Sequence, residues 1–149
     1  MKPFFFTALV LFSLSSFSQK MDNQKLEKIL TSISDSVVGK EGYWQIKYYN
    51  RYLLTITDKN HNRMRIISPI VETKDIKEEM YIKCLEANFH SVLDAKYAIS
   101  DEIIWSVFIH PLKELSEEQV RSAINEVYSA AATFGYSYTG SDLVFPKSE

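Results

Sequence analysis

Cysteine is almost absent from this chain of 149 residues: Cys84 stands alone, so no disulfide framework can form within it. Glycine and proline number only four each, which excludes collagen-like, linker-like and low-complexity architectures. Neither sign of charge dominates. Seventeen Lys and Arg against nineteen Asp and Glu leave a net charge of −2, so no global field draws the chain to nucleic acid or anionic lipid. No apolar run reaches the roughly 20 residues of a membrane-spanning helix. Phosphate-cradling glycine loops and the nucleophile elbow are missing as sequence patterns. His61, His90 and His110 are isolated from one another and from Cys84 at any spacing that suits a metal.

What remains is the balance of a globular domain, 46% hydrophobic and 24% charged. Its first segment has a separate purpose. Lys2 precedes a mostly apolar stretch from Phe4 to Leu14, and small residues follow at Ser16 and Ser18. That is the three-part pattern of an export signal over residues 1–18, with cleavage expected before Gln19 and a periplasmic or secreted product. No cysteine follows that would anchor a lipoprotein, and no transmembrane span is left after cleavage. Residues 19–149 then form a single α+β domain with a short tail from about 136, whose one apolar cluster is Leu143-Val144-Phe145.

Periodicity supplies the element order. Asp22 caps a first helix whose stripe is Leu26, Ile29, Leu30, Ile33 and Val37, with Gly39 as its C′ residue. From Glu41 to Ile70 the period falls to two. The connections there are too short for parallel crossovers, which predicts an antiparallel three-strand meander. Its apolar face is expected to carry Trp44, Ile46, Leu54, Ile56 and Ile66. A second helix runs from about Lys74 to Ser91, capped by Thr73 or Asp75, with Leu85 and Phe89 broadening its inner row. Two more strands follow, joined by a turn at Asp101-Glu102. The last of them is apolar on both faces, which places it inside the sheet, with Ile103, Trp105 and Val107 toward the helices. Ser116 and Gln119 make a capping box for a third helix that Gly135 ends. The fold class is therefore α-β-β-β-α-β-β-α, a five-stranded antiparallel sheet with helices packed on one face.

Chemistry is harder to find. The adjacent acids Glu78-Glu79, Asp101-Glu102 and Glu117-Glu118 lie in a turn or near helix N-termini, where solvation and the helix dipole account for them. Cys84 and His90 are six residues apart on one predicted helix, about 9 Å along its axis and beyond hydrogen-bond reach. No cofactor and no metal is expected. The second face of the meander is the feature with functional character. It displays Tyr43, Gln45, Lys47, Tyr49, Leu53, Thr55, Arg63, Arg65 and Ile67, a mixture of aromatic and basic side chains. Of these, Tyr43, Lys47, Tyr49, Arg63 and Arg65 are the candidate binding residues, since aromatic and Arg side chains anchor protein contacts. Asn88, a short amide on the inner row of the second helix, is expected to bond backbone at the helix end and so fix the passage into the strand near Leu93.

Three segments carry a family resemblance. These are Tyr81-Ile82-Lys83-Cys84-Leu85-Glu86-Ala87-Asn88, the strand Ile103 to Ile109, and Leu115-Ser116-Glu117-Glu118 opening the last helix. In this order of elements, over about Asp22 to Gly135, the chain resembles the type III secretion chaperone-like fold and, within it, the YbjN-like branch. The resemblance implies a non-catalytic domain that binds protein segments and often dimerises. The leading expectation is an exported protein-binding or chaperone-like module that contacts a protein segment or itself, not an enzyme and not a nucleic-acid binder. The alternative is a small-ligand carrier of the cell envelope, which a cavity above ~300 Å³ with convergent polar groups would favour. A third is an enzyme without recognisable motifs.

Overall fold

The computed structural model describes residues 20–141. The expected export signal and the Leu143-Val144-Phe145 cluster lie outside them. Helix α1 (Asn23–Ile33) leads into a sheet of six strands rather than five, β1 (Ser36–Lys40), β2 (Tyr43–Tyr48), β3 (Arg51–Asp58), β4 (Arg63–Glu72), β5 (Lys96–Ser100) and β6 (Ile103–His110). A short 3-10 turn over Thr73–Asp75 and helix α2 (Glu78–His90) separate β4 from β5, and α3 (Glu117–Thr133) follows β6. The strands lie in the order β1-β2-β3-β4-β6-β5, and every pair is antiparallel.

The additional strand corrects the expectation that α1 runs on to Val37. Asp22 does cap the helix, accepting from Lys25 N at 2.9 Å. However, the Ser34 hydroxyl donates to Leu30 O and closes the last turn. Two β-branched valines then follow, which favour extended backbone. Gly39 does not act as a helix cap. It sits in β1 opposite Trp44 with φ +140°, where a Cβ would stand 2.2 Å from Tyr43 O. The second helix is also shorter than expected. It starts after Lys77, which offers no side-chain cap, and Thr73 and Asp75 belong to the 3-10 turn instead. The capping box on α3 is present in full, with Gln119 N donating to Ser116 Oγ and Ser116 N to Gln119 Oε1.

Helices α1 and α3 cover one face of the sheet. Leu26 and Leu30 from α1 and Val120, Ile124 and Val127 from α3 are buried against Trp44, Ile46, Leu53 and Ile66. Small residues on that face, Thr55, Ser68 and Ser106, are fully buried and let the alanine-rich α3 approach β4 and β6 closely. The side-chain oxygens of Thr55 and Ser106 have no hydrogen-bond partner there. Glu126, buried on α3, accepts from the backbone N–H groups of Asp94 and Ala95 and so fastens the α2–β5 connection to the helix layer.

Two facings differ from expectation. In β3 the buried residues are Leu53 and Thr55, while Tyr52 is exposed and Leu54 and Ile56 are only half-buried. In β6 the helix side takes Ile104, Ser106 and Phe108, which sets Ile103, Trp105 and Val107 on the other face. Strand β6 is interior, between β4 and β5.

Candidate functional site

Alternation fixes which side chains the helix-free face presents. Because Trp44 and Ile46 point to the helices, Tyr43, Gln45 and Lys47 point away, and pairing carries that orientation across the sheet. One row runs Lys40, Tyr43, Ile56, Arg65, Ile109. The next runs Val38, Gln45, Leu54, Ile67, Val107, Lys96. Beyond them lie Lys47 with Tyr52, and Pro69 with Trp105 and Ala98. Among the described residues no element covers this face. Val38 is 68% exposed, Tyr52 56% and Ile109 58%, so large apolar groups stand in water over most of the sheet's width. Scattered apolar residues on a surface need no explanation, but a contiguous patch of them marks an interaction site.

Of the five candidate residues, four lie here. Tyr43, Lys47, Arg63 and Arg65 are all exposed on the open face. Tyr49 is not with them. It occupies the two-residue β2–β3 turn at φ +50°, and its ring packs 4.7 Å from Tyr48 and 5.2 Å from Tyr128 of α3, at the helix-side end of the sheet. Leu53 and Thr55, also expected on this face, are buried on the other. Sequence reasoning missed Val38, Tyr52, Trp105 and Ile109. The Trp105 indole N–H donates to Ser100 O at 3.1 Å, which holds its ring along the β5 side of the face.

The charged groups of the face have a common sign. Lys40, Lys47, Arg65 and Lys96 occupy the rows just described, and no carboxylate does. Acids appear only at the two ends. Asp58 faces Arg63 at one end, and its oxygens are engaged by the backbone N–H groups of Asn60 and His61 and by the His61 ring. The His61 hydrogen bonds hold the Asp58 carboxyl below its ordinary range. Glu72 at the other end pairs with Lys74. A recess of about 440 Å³ opens beside Ile56, Arg63, Arg65 and Ile109.

A second uncovered apolar surface belongs to α2. Cys84 and Ala87 face inward, whereas Ile82, Leu85 and Phe89, the last 80% exposed, form a stripe facing out. Leu85 and Phe89 therefore do not broaden the inner row as expected. Between α2 and β5 lies a groove of about 250 Å³, lined by Tyr81, Cys84, Leu85, Tyr97, Ile99 and Ile104. It is smaller than the ~300 Å³ typical of ligand sites and its lining is apolar, whereas the recess beside Arg63 and Arg65 exceeds that volume and has polar groups along it. Burial pushes the Cys84 thiol up to about 11, the opposite of what a nucleophile needs. Burial likewise raises the Tyr97 hydroxyl, which donates to Ala130 O. Asn88 bonds backbone, as expected, but in the strand rather than at the helix end. Its Oδ1 accepts from Tyr97 N at 2.7 Å and its Nδ2 donates to Tyr97 O at 3.1 Å. Among the described residues, no three His, Cys, Asp or Glu side chains cluster in a way that could hold a metal ion.

No family model matches the chain, and no curated protein matches it in sequence. Solved structures do match it in fold. A chain of the HopA1–SchA chaperone–effector complex superposes with a TM-score of 0.58 at 13% identity, over 73% of this chain and 88% of its own. One from the complex of the Yersinia pestis type III secretion chaperone SycH with a stable fragment of YscM2 gives 0.57 at 16%, over 76% and 98%. One from the ExsC–ExsE complex gives 0.56 at 12%, over 74% and 92%. At these identities the likeness is one of fold: the α+β architecture read from the sequence is shared with chains of these three complexes.

Proposed function

We propose that this chain is an exported, non-catalytic, chaperone-like module that holds a segment of another protein against the open face of its sheet. The observation that carries the reading is the sheet itself. Among the described residues the six strands have helices on one side only, and the other side presents Val38, Tyr43, Tyr52, Trp105 and Ile109 among its Lys, Arg and Gln side chains. A domain normally buries each apolar sheet face under a second layer, and a bound segment supplies that layer here. Two of the three matched complexes are described as a chaperone with a protein partner, which supports the same use of the fold. The reading includes the YbjN-like branch, on the strength of the segments around Asn88, Trp105 and Ser116, and periplasmic or secreted location, on the strength of residues 1–18.

Affinity capture from the cell envelope tests it. The chain lacking residues 1–18 should retain a discrete protein partner, and Tyr52→Ala with Trp105→Ala should release that partner while the fold persists. Equal recovery with the double variant would refute the role of this face. A second contact is favoured by the outer stripe of α2. Ile82, Leu85 and Phe89 recur at helical spacing on one exposed line, the pattern of a helix awaiting a like helix. Self-association through it should appear as a dimer in sedimentation and be lost in Leu85→Glu; a monomer at all concentrations would remove it.

A further inference from the structure

The open face has a charge of its own, opposite to that of the chain. The whole sequence carries −2, yet every charged side chain in the interior rows of the face is a cation: Lys40, Lys47, Arg65 and Lys96. Two of these have a local explanation. Lys40 lies on β1 and Lys96 on β5, the two edge strands, where lysine discourages stray strand pairing. That explanation does not extend to Lys47 on β2 or Arg65 on β4, which are interior strands with both edges already paired. Neither has a carboxylate within ion-pair distance among the described residues. Apolar groups flank them instead: Lys47 lies between Tyr52 and the small Ser36, and Arg65 between Ile56 and Ile109. Arg65 also borders the 440 Å³ recess, where Arg63 is a second cation and the Asp58 oxygens are already engaged.

We propose that the occupant of this face is an acidic amphipathic protein segment, one that lays apolar side chains on Tyr52, Leu54, Trp105 and Ile109 and sets Asp or Glu against Lys47 and Arg65. The inference rests on the reading of the face as a binding surface and adds the chemistry of what it binds. Unpaired cations flanked by apolar groups are desolvated when the face is covered, so a neutral or basic occupant is penalised and an acidic one gains charge-assisted hydrogen bonds. Specificity then comes from the rejection of basic segments as much as from the attraction of acidic ones.

Twelve-residue peptides that share leucines at fixed positions and carry Glu, Lys or Gln at all the others provide the probe, titrated against the chain lacking residues 1–18 by fluorescence anisotropy. The Glu peptide should bind at least about tenfold tighter than the Lys peptide at 50 mM salt, and the gap should narrow at 500 mM, where screening shortens the reach of each charge. The pair Lys47→Glu and Arg65→Glu should reverse the order, while circular dichroism shows the fold retained. Equal binding of all three peptides would overturn the acidic occupant and leave the protein-binding reading standing. Binding of none of them, with vesicles of phosphatidylglycerol bound instead, would overturn both and assign the face to an anionic lipid surface.

Discussion

Replacing Asn88 by alanine tests how the edge of the sheet is finished. Strand β5 pairs with β6 on one side only, so alternate backbone groups along it point outward. At Tyr97 those groups meet Asn88, whose side-chain amide accepts from Tyr97 N at 2.7 Å and donates to Tyr97 O at 3.1 Å. The side chain thus substitutes for one residue of a missing strand. Alanine removes two hydrogen bonds worth roughly 0.5–1.5 kcal/mol each. Tyr97 is only 6% exposed, so water recovers little of the loss, and the expected cost is about 2–3 kcal/mol out of a total stability of about 5–15 kcal/mol. For a domain of this size the melting temperature should fall by roughly 6–12 °C. Urea titration gives the free energy, and hydrogen exchange gives the site: the Tyr97 amide should lose protection while the central strands keep theirs. Asn88→Asp retains an acceptor for Tyr97 N but sets a carboxylate against Tyr97 O, so it should recover little. Glu86→Ala, two residues back on the exposed side, is the control and should stay within about 0.5 kcal/mol. An Asn88→Ala protein of wild-type stability with Tyr97 still protected would refute the edge-capping argument.

The two tryptophans should report the two faces. Trp44, fully buried with its indole N–H on Glu27, should cost about 3–5 kcal/mol as alanine, whereas Trp105→Ala on the open face should cost less than about 2 kcal/mol and remove the acrylamide-quenchable part of the fluorescence; equal costs would contradict the facing. Cys84 should resist alkylation. Raising the thiol from 9.0 to about 11 lowers the thiolate fraction near pH 8 by about a hundredfold, so disulfide exchange with an aromatic reagent should be slow in the native protein and fast in denaturant, and equal rates would show the thiol accessible.

The local chemistry of helix ends and turns was legible in part, since Gly39 and Thr73 or Asp75 do not cap the helices they were expected to cap. Asp22, Ser116 with Gln119, and the Asp101-Glu102 turn act through atoms only a few residues away, so nothing distant can override them. Strand facing was legible in β2 and β4 from their own alternation, and in β3 it was misread although a short turn sets it. The two-residue turn at Tyr49-Asn50 pairs Trp44 with Thr55 and Ile46 with Leu53, and any connection of even length would put odd-numbered β3 residues on that face. Hydrophobicity argued the other way, because Tyr52, Leu54 and Ile56 are more apolar than Leu53, Thr55 and Thr57, and register prevailed. No such turn joins β4 to β6. Both faces of β6 are apolar, so nothing local decided that Ser106 rather than Trp105 would lie beneath the alanines of α3. The candidate site was half legible for the same reason: Tyr43, Lys47, Arg63 and Arg65 follow the alternation of their own strands, whereas Tyr52 and Trp105 needed the register.

The misread facings share a physical origin that bears on function. Periodicity assigns a core by assuming that an element has one apolar side, and here two elements have two. Strand β6 carries Ile104 and Phe108 toward the helices and Trp105, Val107 and Ile109 away from them. Helix α2 carries Cys84 and Ala87 inward and Ile82, Leu85 and Phe89 outward. In a self-sufficient domain the second set would be polar, because an exposed apolar side chain contributes nothing to folding and invites aggregation. Each second set recurs along its element: the first is interleaved with Gln45 and Arg65 as it crosses from β1 to β6, and the second runs along α2 to the groove beside Ile99. Neither is needed by the core, which already has Trp44, Leu26, Ile66 and Ile124 fully buried between sheet and helices. Apolar surface that the fold does not require, interleaved on the sheet with the unpaired Lys47 and Arg65, is the ground for our proposal that this face holds another chain.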